Sequence, residues 1–162
     1  MDVYLTTHKQ DVDAVRQSCN AVLAMEWPIS KLRMFVLDGS VRPAIQELCD
    51  ILRATYIVDN NAVPPSGGSM NTAPQRSLGE LVVIFDADAR PDRDFLKLTL
   101  GWFTQNPALG CLQSTVHPTQ PSSTACVILR RSSLLESGGL EAGSSLPIAA
   151  LASRLREHGF CS

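Results

Sequence analysis

The sequence lacks the features that mark nucleic-acid-binding, membrane-spanning or secreted proteins. Its 162 residues carry a formal net charge of −2, which gives no support for binding to a polyanion. No apolar run approaches the roughly 20 residues that cross a bilayer, and the N-terminus lacks the basic and apolar regions of a signal peptide. We therefore expect one compact cytoplasmic domain, 1–162, without a transmembrane segment and without a nucleic-acid partner.

The five cysteines are dispersed, with neither a Cys-x-x-Cys pair nor the spacing of a metal site. An odd and scattered set favours reduced, mostly buried thiols. A nucleophilic cysteine needs a base beside it, and no spacing links His8, His117 or His158 to a cysteine. Thiol catalysis is therefore not expected. His8 and His158 are expected at the surface, and His117 is interpreted as an ordinary residue at a strand end.

What the sequence does contain is a buried strand that runs into two carboxylates, LVVIFDADARP over 81–91. A continuous apolar run bounded by turn residues is typical of a strand buried on both faces. On an extended backbone Asp86 and Asp88 point the same way, at the strand end where α/β sheets bind ligands. Such oxygen ligands suit Mg²⁺ or Mn²⁺ with a phosphorylated substrate, but an ordinary turn explains this stretch equally well.

Strand-like and helix-like segments alternate along the chain. Strands are predicted at 3–7, 32–37, 54–58, 81–85, 109–116 and 126–129. Helices are predicted over 11–25, 43–52, 95–105 and 147–158, with a short one from 132 to 138. Asp92 or Asp94 is expected to cap the helix over 95–105. The alternation predicts an α/β fold with a mainly parallel sheet and right-handed crossovers.

Three further segments each allow a functional and an ordinary interpretation. Asp38 ends the second strand, where it either binds a ribose or base, or simply forms the Asp-Gly turn. The Pro/Gly/Ser/Asn-rich stretch 59–74 is predicted to be a loop, either flexible or donating amides to a diphosphate. Arg130 and Arg131 either pair with a phosphate or an acidic substrate, or they lie on a solvated rim or hold a helix start.

Several blocks, in order along most of the chain, resemble the catalytic core of family 2 glycosyltransferases of the cellulose-synthase-like group. DVYLTTHK matches the opening strand of that group, KLRMFVLDGSVRPAI its VLDDGRRP segment, and GGSMNTA its K-A-G-N-L-N loop. GELVVIFDADARPDRDFL resembles its Asp-Ala-Asp block, and LGCLQSTVH a strand that ends in QTP. VILRRSSLLESGGL and SRLREHGF resemble its LRR-x-x-L-x-x-x-GG block and last helix.

The resemblance implies a GT-A fold, a Rossmann-like three-layer sandwich, and inverting transfer from a nucleotide sugar, usually a UDP-sugar. It implies that Asp38, with Thr7 nearby, holds the nucleotide. It also implies that Asp86 and Asp88 hold the diphosphate together with Mg²⁺ or Mn²⁺, Asp88 acting through the metal in catalysis. The donor loop is then formed by Gly67, Gly68 and Asn71.

The chain departs from the group at both halves of the reaction site. Ser66 and Ser69 replace the lysine and an asparagine of the donor loop, and most of the acceptor segment expected after His117 is missing. The Thr-Glu-Asp motif that carries the general base falls on 146–148, where Leu-Pro-Ile stands, and Glu141 is the nearest upstream carboxylate. A general base typically contributes about 10²–10⁴-fold, so we expect donor binding to outlast efficient transfer.

We therefore expect 1–162 to be a shortened glycosyltransferase domain with an unknown acceptor, without the transmembrane helices of the group. A membrane-associated or protein partner would complete it. The competing hypotheses are a catalytically impaired nucleotide-sugar-binding or regulatory pseudoenzyme, and a truncated gene product.

Overall fold

The computed structural model describes residues 1–58, 68–116, 124–136 and 148–161. Within them the strands are β1 Asp2–Thr7, β2 Arg33–Asp38, β3 Thr55–Val58, β4 Leu81–Asp86, β5 Cys111–Val116 and β6 Thr124–Arg130. The helices are α1 Val12–Leu23, α2 Pro43–Leu52, α3 Gly68–Arg76, α4 Phe95–Gln105, α5 Arg131–Glu136 and α6 Ile148–Glu157. A short 3₁₀ turn, Ile29–Lys31, precedes β2. Each predicted strand and helix is confirmed, with boundaries that differ by a few residues.

The described strands form one sheet in the order β3-β2-β1-β4-β6-β5. Strand β1 pairs in parallel with β2 and β4, and β2 pairs in parallel with β3. Strand β6 runs antiparallel to both of its neighbours. The mainly parallel α/β sheet predicted from the sequence is confirmed, and the carboxyl ends of β1, β2, β3 and β4 therefore lie along one edge.

Helices cover both faces of the sheet and give it two apolar cores. Val83 and Phe85 of β4 face a cluster shared with α1, α2 and α4, whereas Val82 and Ile84 face a second cluster. Buried residues of α3, α5 and α6 contribute to that second cluster, namely Ala73, Leu134, Leu151 and Leu155. The alternation along β4 confirms that this strand is buried on both faces, and the two covered faces make a three-layer sandwich.

Two local predictions are wrong. The loop expected over 59–74 contains helix α3 from Gly68 onward, because burial of Ala73 in the second core outweighs the turn-forming composition. Residues 59–67 lie outside the described residues.

The second wrong prediction concerns the start of α4, where neither Asp92 nor Asp94 caps the helix with its side chain. The Asp94 side chain makes no cap hydrogen bond, and the Phe95 amide donates instead to the main-chain oxygen of Asp92 at 3.1 Å.

The cysteine prediction is confirmed for all five thiols. They are free, and all but Cys161 are buried. No helix among the described residues is both long and apolar enough to cross a membrane.

Candidate active site

Polar side chains meet where β1, β2 and β4 end. Strand β1 lies between the other two, and the register sets Thr7 beside Asp38 and Thr6 beside Asp86. Asp38 and Asp86 therefore lie at the same edge of the sheet, with the two threonines of β1 between them. The apolar residues that precede each carboxylate are buried in the two cores. They hold each strand in the sheet up to its last residues, and this fixes the arrangement.

The half-buried carboxylate of Asp86 has a neutral hydrogen-bond donor. Thr6 Oγ1 donates to Asp86 Oδ1 at 2.7 Å. Burial raises the pKa of the Asp86 carboxyl and the nearby negative charge of Asp88 raises it further, while the Thr6 hydrogen bond acts in the opposite direction. The site therefore disfavours the anionic form of Asp86 until positive charge is brought to it.

Asp88 lies in a turn and not on the extended backbone that the sequence suggested. Strand β4 ends at Asp86, and the Ala89 amide donates to the Asp86 main-chain oxygen at 2.9 Å, which closes a turn over 86–89. The side chain of Asp88 is exposed, whereas Ala87 and Ala89 on either side are buried. The turn places Asp88 two residues beyond Asp86, and the negative charge of Asp88 contributes to the raised pKa of Asp86.

Asp38 is completely buried, and a guanidinium neutralises it. Arg42 donates from Nε to both carboxylate oxygens at 3.0 Å and from Nη2 to Oδ1 at 2.8 Å. Tyr56 Oη donates to Oδ2 at 2.8 Å, and the Ser40 amide donates to Oδ1 at 3.2 Å. The Ser40 contact is the Asp-Gly turn that the ordinary interpretation of Asp38 predicted.

Arg42 also ties this cluster to β1. Its Nη2 donates to Thr7 Oγ1 at 2.7 Å, and its Nη1 donates to the Gln10 main-chain oxygen at 2.6 Å. Thr7 in turn donates to Gln10 Oε1 at 3.2 Å. The predicted proximity of Thr7 and Asp38 is confirmed, and the bridging guanidinium is what the sequence did not reveal.

The exposed ring of His8 lies over Gly39, just beyond the ends of β1 and β2. A Cβ atom at residue 39 would collide with His8 Nδ1. Glycine therefore lets the loop after β2 approach the loop after β1. His8 and His158 are both exposed, as predicted.

Two of the remaining predicted site residues lie on α3, and the others fall outside the described residues. Gly68 begins α3 and Asn71 lies within it, and this helix packs against β2 and β3. Gly67, His117 and Glu141 lie outside the described residues. Among the residues that are described, no group of three or more His, Cys, Asp or Glu side chains is placed to hold a metal ion.

Arg130 lies at the other end of β4 from Asp86. It pairs with Leu81 in the register and donates to Glu80 Oε1 at 3.0 Å. It also donates to the main-chain oxygens of Phe103 at 2.6 Å and Leu109 at 2.9 Å. This arginine holds the end of α4 against the sheet, so a phosphate role is not supported.

The mainly parallel sheet between two layers of helices is the GT-A glycosyltransferase fold. A mannosyltransferase from Pyrobaculum calidifontis, solved in complex with GDP-Man and Mn²⁺, superposes with a TM-score of 0.79 at 19% identity, over 99% of this chain and 52% of that one. Glucosyl-3-phosphoglycerate synthase from Mycobacterium tuberculosis with UDP gives a TM-score of 0.61 at 14% identity, over 96% and 76% of the two chains.

Residues 2–130 match the family described as Glycosyl transferase family 2, and the chain belongs to that family. A UDP-forming cellulose synthase catalytic subunit of Pseudomonas fluorescens is 37% identical over 114 residues, 70% of this chain and 15% of that protein. Cellulose synthase 2 of Novacetimonas hansenii is 35% identical over 121 residues, 75% of this chain and 8% of that protein. The resemblance to the cellulose-synthase group is confirmed, and the chain spans a small part of the length of these relatives.

Proposed function

We propose that this chain is the donor-binding core of a glycosyltransferase that uses a UDP-sugar with Mg²⁺ or Mn²⁺. One observation carries the proposal: a half-buried carboxylate, Asp86, is held by a neutral hydroxyl, and a second, exposed carboxylate, Asp88, lies in the turn that follows it. A divalent cation that arrives with a diphosphate supplies the positive charge that favours both anions. The family of the chain supports this proposal. So do the structures of two proteins of the same fold, one solved with GDP-Man and Mn²⁺ and the other with UDP.

The residues present fit such a cation. Carboxylate oxygens are the ligands that Mg²⁺ and Mn²⁺ prefer, and Mg²⁺ is commonly held by one or two carboxylates together with substrate phosphates and water. Asp86 and Asp88 would provide those carboxylates. When bound, the cation neutralises negative charge on the departing UDP.

Under this proposal the nucleoside lies over the ends of β1 and β2. A carboxylate offers about four lone-pair sites, and the groups that already donate to Asp38 come from Arg42, Tyr56 and Ser40. Direct contact with a ribose or base would displace one of these donors, and the Ser40 amide makes the longest contact, 3.2 Å. Thr7 would lie beside the nucleotide, and Gly67, Gly68 and Asn71 would line the donor loop.

The acceptor half of the proposal is an inverting transfer in which a carboxylate removes the proton of an acceptor hydroxyl. Glu141 is our candidate for that base, because no carboxylate stands at 146–148. The same absence favours a second function, in which the domain binds a nucleotide sugar without transferring it efficiently.

Calorimetric titration of UDP with and without Mn²⁺ tests the donor site. We expect Mn²⁺ to strengthen UDP binding to the wild type, and Asp88→Asn to abolish that gain. Asp92→Asn removes an exposed carboxylate four residues further on and is the matched control, which should bind as the wild type does. A folded wild-type protein whose UDP affinity does not depend on Mn²⁺ would overturn the proposal.

Turnover separates the two functions. The rate of hydrolysis or transfer of a UDP-sugar is measured through the UDP that is released. This rate should fall in Glu141→Gln by up to the roughly 10²–10⁴-fold that a general base contributes. NMR of the product anomer reports inversion. Metal-dependent binding without any turnover in the wild type would favour the binding module.

A further inference from the structure

A buried serine on α1 reaches the turn that carries Asp88. Ser18 is completely buried, on the same helix face as the apolar Val15, Cys19 and Val22. A serine inside a helix commonly bonds a carbonyl of its own preceding turn. Ser18 Oγ instead lies 2.5 Å from the Ala87 main-chain oxygen and 2.8 Å from that of Ala89.

These two carbonyls bracket Asp88. The Ala87 oxygen belongs to the peptide group that joins Ala87 to Asp88, so fixing this oxygen fixes the plane from which Asp88 departs. The amide of Ala87 is held separately, because it donates to the Thr6 main-chain oxygen at 2.9 Å. The turn is thus attached to β1 on one side and to α1 on the other, while the Asp88 side chain remains exposed.

The single hydroxyl hydrogen of Ser18 cannot be donated fully to both carbonyls. Arg90 provides a second donor. Arg90 Nη1 donates to Ser18 Oγ at 2.5 Å and to the Ala89 oxygen at 2.9 Å. Its Nη2 donates to Gln17 Oε1 at 3.1 Å. With Arg90 satisfying Ala89, the Ser18 hydrogen is directed to Ala87, the closer of the two acceptors.

We propose that Ser18 is a positioning residue for the Asp86–Asp88 site, which fixes the Ala87–Asp88 peptide so that both carboxylates serve one cation–diphosphate. This inference rests on the function proposed above. It assigns Ser18 no contact with the substrate. Because partners of this kind act by orienting a ligand, their loss typically weakens metal binding by about 10–100-fold.

The test compares Ser18→Ala with Ser18→Thr, which keeps the hydroxyl. In Ser18→Ala we expect the Mn²⁺-dependent gain in UDP affinity to fall by about 10–100-fold, while UDP binding without metal stays unchanged. Ser18→Thr should recover most of the gain. Amide hydrogen exchange over 86–90 should be faster in Ser18→Ala than in the wild type, even without ligand.

Val15→Ala is the matched control, because it removes a fully buried side chain from the same helix face and destabilises the same core. It should leave the metal-dependent gain unchanged at a temperature where both variants are folded. An equal loss in Val15→Ala would overturn the proposal and reduce Ser18 to a packing residue.

Arg90→Gln provides a further test at a position outside the core, and should give a smaller loss in the same direction. If Ser18→Ala does not fold, an unaltered metal-dependent gain in Arg90→Gln overturns the proposal. A wild type without metal-dependent binding overturns the proposed function and this inference together. A wild type with that gain, and a Ser18→Ala that keeps it, overturns this inference alone.

Discussion

Asp38 and Asp86 end two strands that flank β1, and the fold treats their charges in opposite ways. Asp38 is fully buried and receives a guanidinium, a phenol and an amide. Asp86 is half-buried and receives one neutral hydroxyl, with the negative charge of Asp88 nearby. A buried charge that is neutralised internally needs no cation from outside, whereas a pair of neighbouring carboxylates favours one. The contrast separates a carboxylate whose charge is neutralised within the fold from one that we propose to bind a cation, on the same sheet edge.

The largest effect is expected when the Asp38 cluster loses its cation. Arg42→Leu leaves Asp38 buried without its charge partner, and breaking such a pair typically costs about 3–5 kcal/mol. Urea unfolding measures the loss. The control is Arg16→Leu, because Arg16 pairs with Asp13 at an exposed position and should change stability by less than about 0.5 kcal/mol. Similar small changes in both variants would show that Asp38 does not depend on Arg42.

A smaller effect, measured on binding, is expected from the hydroxyl that orients Asp86. Thr6→Val removes the donor at 2.7 Å with little change of volume. We expect the Mn²⁺-dependent gain in UDP affinity to fall by about 10-fold, at the lower end of what loss of an orienting partner causes. Thr99→Val makes the same substitution on α4, where the hydroxyl donates to the Phe95 main-chain oxygen, and should leave binding unchanged. Unchanged binding in Thr6→Val would remove Thr6 from the site.

Neutralising Asp86 should raise the stability of the fold, whereas Arg42→Leu should lower it. The folded-state pKa of Asp86 is raised, so its charged form is destabilising at neutral pH, and this penalty disappears as the pH falls through the raised pKa. Asp86→Asn keeps an oxygen that accepts from Thr6 and removes the charge. We expect higher stability in metal-free buffer at pH 7 and a smaller difference at acidic pH, with loss of metal-dependent UDP binding. Lower stability at pH 7 would contradict this account.

The sequence predicts the parts of this contrast that local signals encode. Strand β4 is found from its continuous apolar run, and helix α4 is predicted at its observed limits because Asn106-Pro107 ends it. No local signal of this kind predicts which residues pair with the carboxylates. Arg42 lies beyond a turn, and its pairing with Asp38 depends on the path of that turn. Ser18 did leave a signal, because it stands at helical spacing between Val15 and Val22, on the buried face.

Helix α3 shows the reverse case, in which composition is misleading. Pro74 and the glycines before it are typical of a loop, yet 68–76 form a helix because Ala73 is buried in the second core. The proposal that Gly67, Gly68 and Asn71 line a donor loop rests only on the family resemblance. Neither periodicity nor propensity indicates which of these residues face a ligand.

The smallest expected effect uses two buried thiols as reporters of the two carboxylates. Burial, with smaller contributions from Cys19, Asp50 and Asp38, raises the pKa of Cys49 to about 12. Burial likewise raises the pKa of Cys126, and the negative charge of Asp86 raises it further. With a thiol reagent at pH 8 we expect exposed Cys161 to react quickly in the native wild type, and the four buried thiols to react only when the protein opens locally.

In Arg42→Leu, Cys49 should become reactive sooner than Cys126, because local opening begins around Asp38. Mass spectrometry of the labelled peptides measures both rates. Equal acceleration would mean that the two carboxylate clusters open together and that their difference in charge does not translate into a difference in local stability.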